Sequence, residues 1–344
     1  MFVSRIGLSS VTRPGRVVSV NLSLHILRKL HGSRSDFVSN TDLLAGTSSS
    51  LATVSAEIES LRRLGYDIES HPHFGCRLRG APDRLMADDL LARISDTVIG
   101  SRILVFQQTG STNDVVARQG ADGVPEGLVV FAESQTAGRG RQGRTWQSPS
   151  GKGLWFSVLL RPSYGTVAAG RLTVAASVAV AGALGRVGGV DARIKWPNDI
   201  TVRGRKMAGI LTELHQPVGK PMFAVLGIGI DVNCAAADFP LELRETATSL
   251  SIETGTMHDR AGLATEVLRE LDGWYRQSAV DFDAVIARWA ELSTTLGRHL
   301  SVRVGSATVE GFAQALDSDG ALLVRHDNGR VERIVSGDVV KQRA

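Results

Sequence analysis

The sequence lacks most of what a metal site, a disulfide framework or a membrane span would require. Only two of its 344 residues are cysteines, Cys76 and Cys234. They lie far apart, form no metal-ligand spacing, and read as two reduced thiols of a cytosolic protein. No uninterrupted apolar run reaches the roughly 18 residues of a membrane-spanning helix. The Ala/Val-rich stretch 172–185 is too short for one and reads as a buried helix. The Walker A pattern GxxxxGK[ST] is missing, because GKG at 151–153 lacks the hydroxyl and the upstream glycine. GIGID is no dinucleotide fingerprint either: Gly227 and Gly229 have no third glycine, and no helix clearly follows. A glycine pair within a strand suggests instead that something packs tightly against the backbone.

Acidic residues are missing from two stretches, 1–35 and 134–190. The first holds Arg5, Arg13 and Arg16 among serines, a composition shared with organelle leaders. A helix expected from about Ser23 leaves room only for a short one. Residues 1–20 are therefore expected to be a disordered tail, or the product of a start codon set too far upstream. A formal charge of +4 permits nucleic acid or anionic ligands without requiring either. The length allows two or three domains of about 100–200 residues each.

Three blocks are legible. In the first, 21–85, Leu24, Leu27 and Leu30 recur at helical spacing. A second short helix is expected over Asn40–Ala45, capped by Asn40 or Thr41. Leu51, Val54, Ile58, Leu61 and Leu64 then mark one face of a longer helix stopped by Gly65, and YDIES and FGCRL form a hairpin. Three helices and a hairpin are the order of a winged helix-turn-helix, a DNA-binding module. Ser48, Ser49 and Ser50 could donate to phosphate or base edges, and Arg62, Arg63 and Arg77 could touch the backbone. The longer helix has no Arg or Lys before Arg62, so a packing or regulatory module is the alternative.

The second block, 88–297, mixes strands and helices into an α+β domain around one sheet. Strands are expected at 103–107, 127–133 and 153–160, in ARIKWPNDITV, in KMAGILTEL and in FAVLGIGIDVN. Helices are expected after TGSTND, over 168–186, and over 262–278 and 282–296. The third block, 298–344, carries four short strands with turns at Gly305, DSDG and DNGR, the pattern of a small all-β barrel.

The acid-free window 134–190 holds Arg139, Arg141, Arg144, Lys152, Arg161, Arg171 and Arg186. Within it GRGRQGR alternates glycine with arginine, and Trp146 follows. Glycine supplies backbone freedom and arginine bidentate donors, so such a loop can lie open and then close over an anion. KWPNDI gathers Lys195, Asn198 and Asp199 at a strand end marked by Pro197, a set that a plain surface ion pair would also explain. Lys206 stands where a basic turn enters an apolar strand, well placed to hold an oxyanion.

Taken in order, GSTND, ESQTAGRGRQGRTWQSP, KWPNDI, RKMAGIL and GIGIDVN closely resemble biotin–protein ligase, and the three-block order resembles its bacterial bifunctional ligase/repressor type. The resemblance covers the second and third blocks throughout and the first in outline. It implies a mixed-sheet ligase domain of the biotin/lipoate ligase type, followed by an SH3-like barrel. It implies formation of biotinyl-5′-AMP from biotin and ATP with Mg²⁺, then transfer of biotin to one lysine of a biotin carboxyl carrier protein, in the cytoplasm and away from any membrane. By the same resemblance, Ser111, Thr112, Asn113 and Gln135 meet the biotin ring system. Gly138, Arg139, Gly140, Arg141 and Trp146 belong to the loop that orders over the adenylate. Lys206 approaches the biotin carboxylate and α-phosphate, Gly227 and Gly229 line the pocket, and Asn198 and Asp199 lie on the nucleotide side. Lys206, Arg141, Arg139 and Asp199 are the catalytic candidates. Repressing members of the family bind operator DNA and form a homodimer when adenylate-bound.

Two departures stand out. The family loop often has a basic residue where this chain has Gln142, and the DNA-reading helix lacks the arginine expected near Leu51. Three other readings stay in view. A lipoate-type acyl ligase would want a longer, less polar pocket. A repressor that senses biotinyl-adenylate with little transfer would bind operator without labelling a carrier. A plain nucleotide-binding protein would take ATP indifferently to biotin.

Overall fold

A computed structural model of the chain describes residues 21–33 and 36–343. The expected tail, 1–20, lies outside the described residues. The chain divides into two compact units, 1–95 and 96–344.

In the first unit, α1 (Leu22–Gly32) is capped by Asn21, whose side chain accepts from the Leu24 amide, and it buries Ile26, Leu27 and Leu30. Helix α2 (Asn40–Leu44) is capped by Ser39, not by the expected Asn40 or Thr41. Ser39 holds the extended backbone that a cap needs while its hydroxyl accepts from the Asp42 amide, so Asn40 already lies inside the helix. Helix α3 (Leu51–Arg63) starts on Ser50 and buries Val54, Ile58 and Leu61. Leu51 and Leu64, expected on the same face, are exposed, because each sits at a helix end beyond the core. Gly65, at φ 101°, turns the chain out of the helix in a backbone region that glycine favours.

Strands β1 (Asp67–His71) and β2 (Gly75–Gly80) form an antiparallel hairpin. Arg62 is drawn into it. Its Nε and Nη2 donate to the Ile68 carbonyl at 2.9 and 2.7 Å, and Nη2 also donates to Ser70 Oγ at 2.6 Å. That guanidinium ties helix to hairpin instead of reaching outward as expected. Helix α4 (Ala87–Arg93), not foreseen, closes the unit and carries it past the expected limit at 85. Its buried Asp89 accepts from His31 Nε2 at 2.8 Å and from Arg93 Nε at 2.9 Å.

The second unit begins with β3 (Arg102–Thr109), α5 (Thr112–Ala121), β4 (Leu128–Gln135) and β5 (Gly153–Leu160). It continues with α6 (Ala168–Gly188), β6 (Ala192–Lys195), β7 (Asp199–Val202), β8 (Arg205–His215) and β9 (Phe223–Asp231). Then come α7 (Leu250–Thr254), also unforeseen, α8 (Arg260–Val280) and α9 (Phe282–Leu292). The seven strands form one sheet in the order β3-β4-β5-β9-β8-β7-β6. Only the β3–β4 pair is parallel, so the sheet is mixed. ARIKWPNDITV, expected as one strand, is a hairpin of two. Pro197 cannot donate to a ladder, and Trp196, Pro197 and Asn198 make the turn between β6 and β7.

The period of two in β9 sorts the layers. Phe223 and Val225 pack against Val115 and Val116 of α5. The other side takes α6, whose Thr173 Oγ1 lies 2.8 Å from Thr212 Oγ1, and Thr212 pairs with Leu226. Helix α6 runs 21 residues, longer than the apolar run alone, and reaches spanning length. Two-thirds of its most apolar window is nevertheless buried inside this layer, as a core helix requires. The odd face of β9 beyond Val225, where Asn113 at the start of α5 meets Gly227, is left to the site.

The last strands are β10 (His299–Val304), β11 (Ala307–Leu316), β12 (Leu322–Arg325), β13 (Val331–Ile334) and β14 (Asp338–Arg343). They form a five-stranded antiparallel sheet in the order β13-β12-β11-β10-β14. The fifth strand was not expected. It returns along β10, pairing Asp338 with Arg303, and brings the segment Ser336–Asp338 to the mouth of the site.

Candidate functional site

One cavity of about 360 Å³ opens over β8 and β9. Its polar end is built where α5 begins. Ser111, Thr112 and Asn113 are buried there, and Ser111 makes no side-chain capping bond. Thr112 donates its amide to Gln135 Oε1 at 2.9 Å and places its hydroxyl 2.7 Å from Ser157 Oγ. Ser157 donates to Asn113 Oδ1 at 2.6 Å, and Asn113 Nδ2 donates to Glu213 Oε2 at 2.6 Å. Gln135 Nε2 donates to Ser148 Oγ at 2.9 Å. The result is a ring of fixed amides and hydroxyls suited to a neutral, polar ligand head.

Gly227 is there for Asn113: a Cβ on it would stand 2.3 Å from Asn113 Oδ1. Gly229 makes room in the same way for the Trp146 indole, which a Cβ would meet at 2.5 Å. The tight packing expected of the glycine pair is thus against protein side chains. The Trp146 Nε1 is buried without a hydrogen-bond partner, and Lys206 Nζ stands 5.2 Å from the ring centre.

The opposite, cationic end gathers the expected lysine and arginines. Lys206 Nζ lies 2.6 Å from Asp199 Oδ1. Asn198 is pinned by donating to the Ile210 carbonyl at 2.7 Å, and its Oδ1 accepts from Arg141 Nη1 at 3.3 Å. The glycine–arginine loop is ordered by its own backbone. Gly140 donates to the Arg144 carbonyl, Trp146 donates to the Gly138 carbonyl, and Gln142 adopts a left-handed φ of 56°. Its three arginines have different fates. Arg139 grips Asp114 with two bonds of 3.0 and 2.6 Å, and the guanidinium holds the Asp114 carboxyl below its ordinary value. Arg144 pairs with Asp338. Arg141 reaches across the cavity to neutral oxygens, and burial pulls its guanidinium below its usual value.

Of the sequence candidates, Gly138 alone of the loop residues stays behind the cavity wall, packed on the Trp146 carbonyl. Ser111, Thr112, Asn113, Gln135, Arg139, Gly140, Arg141, Trp146, Asn198, Asp199, Lys206, Gly227 and Gly229 all line it. Ser48, Ser49, Ser50, Arg62 and Arg63 belong to the first unit. Ser50 caps α3, and Arg63 donates to Ser60 Oγ at 2.9 Å.

Ser157, Glu213 and Asp231 were not foreseen from the sequence. Each is a polar residue within an apolar strand, which was the available signal. Asp231 lines the cavity but is only 7% exposed. Burial pushes its carboxyl up to about 8, against the opposing pull of the Cys234 thiol, 3.5 Å away, and of Lys206. Asp338 and Val339 of the last strand, also on the lining, were missed because that strand was. Among the described residues no group of three His, Cys, Asp or Glu side chains could cage a metal. Asp199 is committed to Lys206 and Asp338 to Arg144.

The chain matches the biotin/lipoate A/B protein ligase family over residues 105–232 and the biotin protein ligase C-terminal domain over 295–342. The bifunctional ligase/repressor BirA of Bacillus spizizenii is 34% identical over 306 residues, 89% of this chain and 94% of that protein. The biotin–[acetyl-CoA-carboxylase] ligase of Mycobacterium tuberculosis is 36% identical over 261 residues, 73% of this chain and 94% of its own. Among solved structures, the biotin protein ligase from Aquifex aeolicus in complex with biotin and ATP aligns with a TM-score of 0.60. It is 27% identical and covers 71% of this chain and 99% of that one.

Proposed function

The chain belongs to the biotin protein ligase family, and from that premise we propose how its own residues carry out the reaction. It is an ATP-dependent, AMP-forming biotin–[acetyl-CoA-carboxylase] ligase. In the first step a carboxylate oxygen of biotin attacks the α-phosphorus of ATP. The bond to the bridging oxygen breaks, and pyrophosphate leaves with the electron pair. In the second, the neutral amine of a carrier lysine attacks the acyl carbon of biotinyl-5′-AMP, loses its proton, and expels AMP. No nucleophilic side chain is needed from the enzyme.

Bringing a carboxylate to a triphosphate sets two anions against each other. Lys206 Nζ, poised between Asp199 and the cavity, and the Arg141 guanidinium offset that repulsion. Mg²⁺ carried on the phosphates would supply the remaining neutralisation, met by at most one or two protein carboxylates such as Asp199. The Thr112–Ser157–Asn113–Glu213 network fixes the donors and acceptors that meet the ureido ring, and any group left unpaired there would weaken binding by about 1–3 kcal/mol. The mixed anhydride is prone to hydrolysis, so the glycine–arginine loop must keep water out until the carrier arrives. Arg139, a catalytic candidate, also acts through Asp114 to hold the loop against α5.

The observation that carries this reading is one cavity with a neutral polar ring at one end and Lys206 with Arg141 at the other. Biotin-dependent exchange of pyrophosphate into ATP tests it. Lys206→Ala should slow the exchange by about 100-fold, the scale of removing one donor at a developing charge. Exchange that ignores biotin, or survives Lys206→Ala undiminished, contradicts the assignment.

The first three helices and the hairpin of the first unit support a winged helix-turn-helix that represses in response to biotinyl-adenylate, and the Bacillus spizizenii relative is named a ligase/repressor. Ser48, Ser49 and Arg63 are its contact candidates. The exposed α3 residues Glu59 and Arg63 nearly cancel in charge, so phosphate attraction must come from elsewhere. A cytoplasmic setting and an adenylate-driven homodimer belong to the same reading. A gel shift with DNA upstream of biotin-synthesis genes, with and without biotin and ATP, decides it. No ligand-dependent shift leaves the unit without the role.

A further inference from the structure

The three loop arginines differ in what neutralises them. Arg139 and Arg144 each pair with a carboxylate, Asp114 and Asp338. Arg141 is bonded only to neutral oxygens: Asn198 Oδ1 at 3.3 Å, the Gly337 carbonyl at 3.2 Å and Ser336 Oγ at 2.7 Å. A half-buried guanidinium fixed by neutral acceptors keeps its charge for an incoming anion, and its planar fork makes its orientation matter. Two of those three acceptors come from the segment between β13 and β14, almost 200 residues away in sequence. That segment is itself held firmly. Gly337 packs so closely on β10 that a Cβ would stand 2.6 Å from a Val302 methyl and 2.8 Å from the Arg303 carbonyl.

We propose that Ser336 and the Gly337 carbonyl are positioning residues that aim Arg141 at the nucleotide phosphates. This rests on the ligase reading above. This contact acts in the first half-reaction, before any carrier is bound. Asp338 supports the same arrangement by keeping Arg144 off that path.

Ser336 is exposed and caps nothing, so removing its hydroxyl should spare the fold. The experiment compares the full-length wild type with Ser336→Ala and Ser336→Thr in biotin-dependent pyrophosphate exchange. Melting temperatures and the KM for carrier are measured in parallel. Ser336→Ala should raise the KM for ATP about 10-fold, the scale of one hydrogen bond to a charged group. Its KM for biotin, its KM for carrier and its melting temperature should stay at wild-type values. Ser336→Thr, which keeps the hydroxyl, should recover most of the loss. An unaltered KM for ATP overturns the proposal. So does a rise shared by ATP, biotin and carrier, which marks a merely structural contact, and so does failure of Ser336→Thr to recover. A wild type inactive in the exchange overturns the ligase reading instead.

Discussion

Asp231→Asn tests the site's most unusual group. The Asp231 carboxyl is lifted by burial from its ordinary 3.8 to about 8, with the Cys234 thiol and Lys206 pulling the other way. Below pH 3.8 both folded and unfolded chains hold the proton, and Asp231 costs nothing. Between the two values the unfolded chain ionises while the folded one must keep its proton, so folding loses about 1.4 kcal/mol per pH unit. Above about pH 8 the loss levels off. This is the reverse of a salt-bridged aspartate. From roughly pH 5 to pH 8 the wild type should lose on the order of 4 kcal/mol relative to Asp231→Asn, which has no proton to exchange. The assay is urea unfolding of both proteins at intervals across that range, followed by tryptophan fluorescence. A stability difference that is constant across the range refutes the reasoning and means that Asp231 is ionised in the fold. The same titration should raise the KM for biotin above about pH 8 in the wild type only, because a second negative charge then faces the biotin carboxylate.

Gly227→Ala should raise the KM for biotin by about 10-fold or more while leaving that for ATP, since its Cβ displaces Asn113 and opens the bonds to Ser157 and Glu213. Calorimetric titration with each ligand separates the two. Asp89→Ala should destabilise the first unit by about 3 kcal/mol, because Asp89 is buried and accepts from both His31 and Arg93. Although burial raises the Asp89 carboxyl, those two partners hold it below its ordinary value. Its contribution is therefore present above the normal carboxylate range and fades as pH falls through it, which acid titration of the unfolding midpoint reads out. Asp114→Asn should leave Arg139 without its carboxylate and speed tryptic cleavage within 139–144 severalfold, and biotin with ATP should restore protection.

The elements with strong local signals were legible in advance. Val54, Ile58 and Leu61 fixed the buried face of α3, and the bias of GRGRQGR with KWPND and GIGID located the cavity. What escaped depended on partners far away in sequence. Strand β14 carries no alternation that separates it from a charged tail, and only its pairing with β10 makes it a strand. Ser336 and Asp338 could not be placed at the site without it. Arg62 looked like a surface charge because its acceptors, Ile68 and Ser70, come within reach only once the hairpin folds back. The spacing of the loop arginines signalled an anion, but not that two of the three would be spent on Asp114 and Asp338.

The most direct test of the account uses the intact wild-type protein, biotin, ATP and Mg²⁺ with a biotin carboxyl carrier domain, read by intact-mass spectrometry of the carrier. The account predicts a gain of one biotinyl group on a single lysine that requires ATP. A carrier of unchanged mass, or one that takes lipoate as readily as biotin, would contradict it.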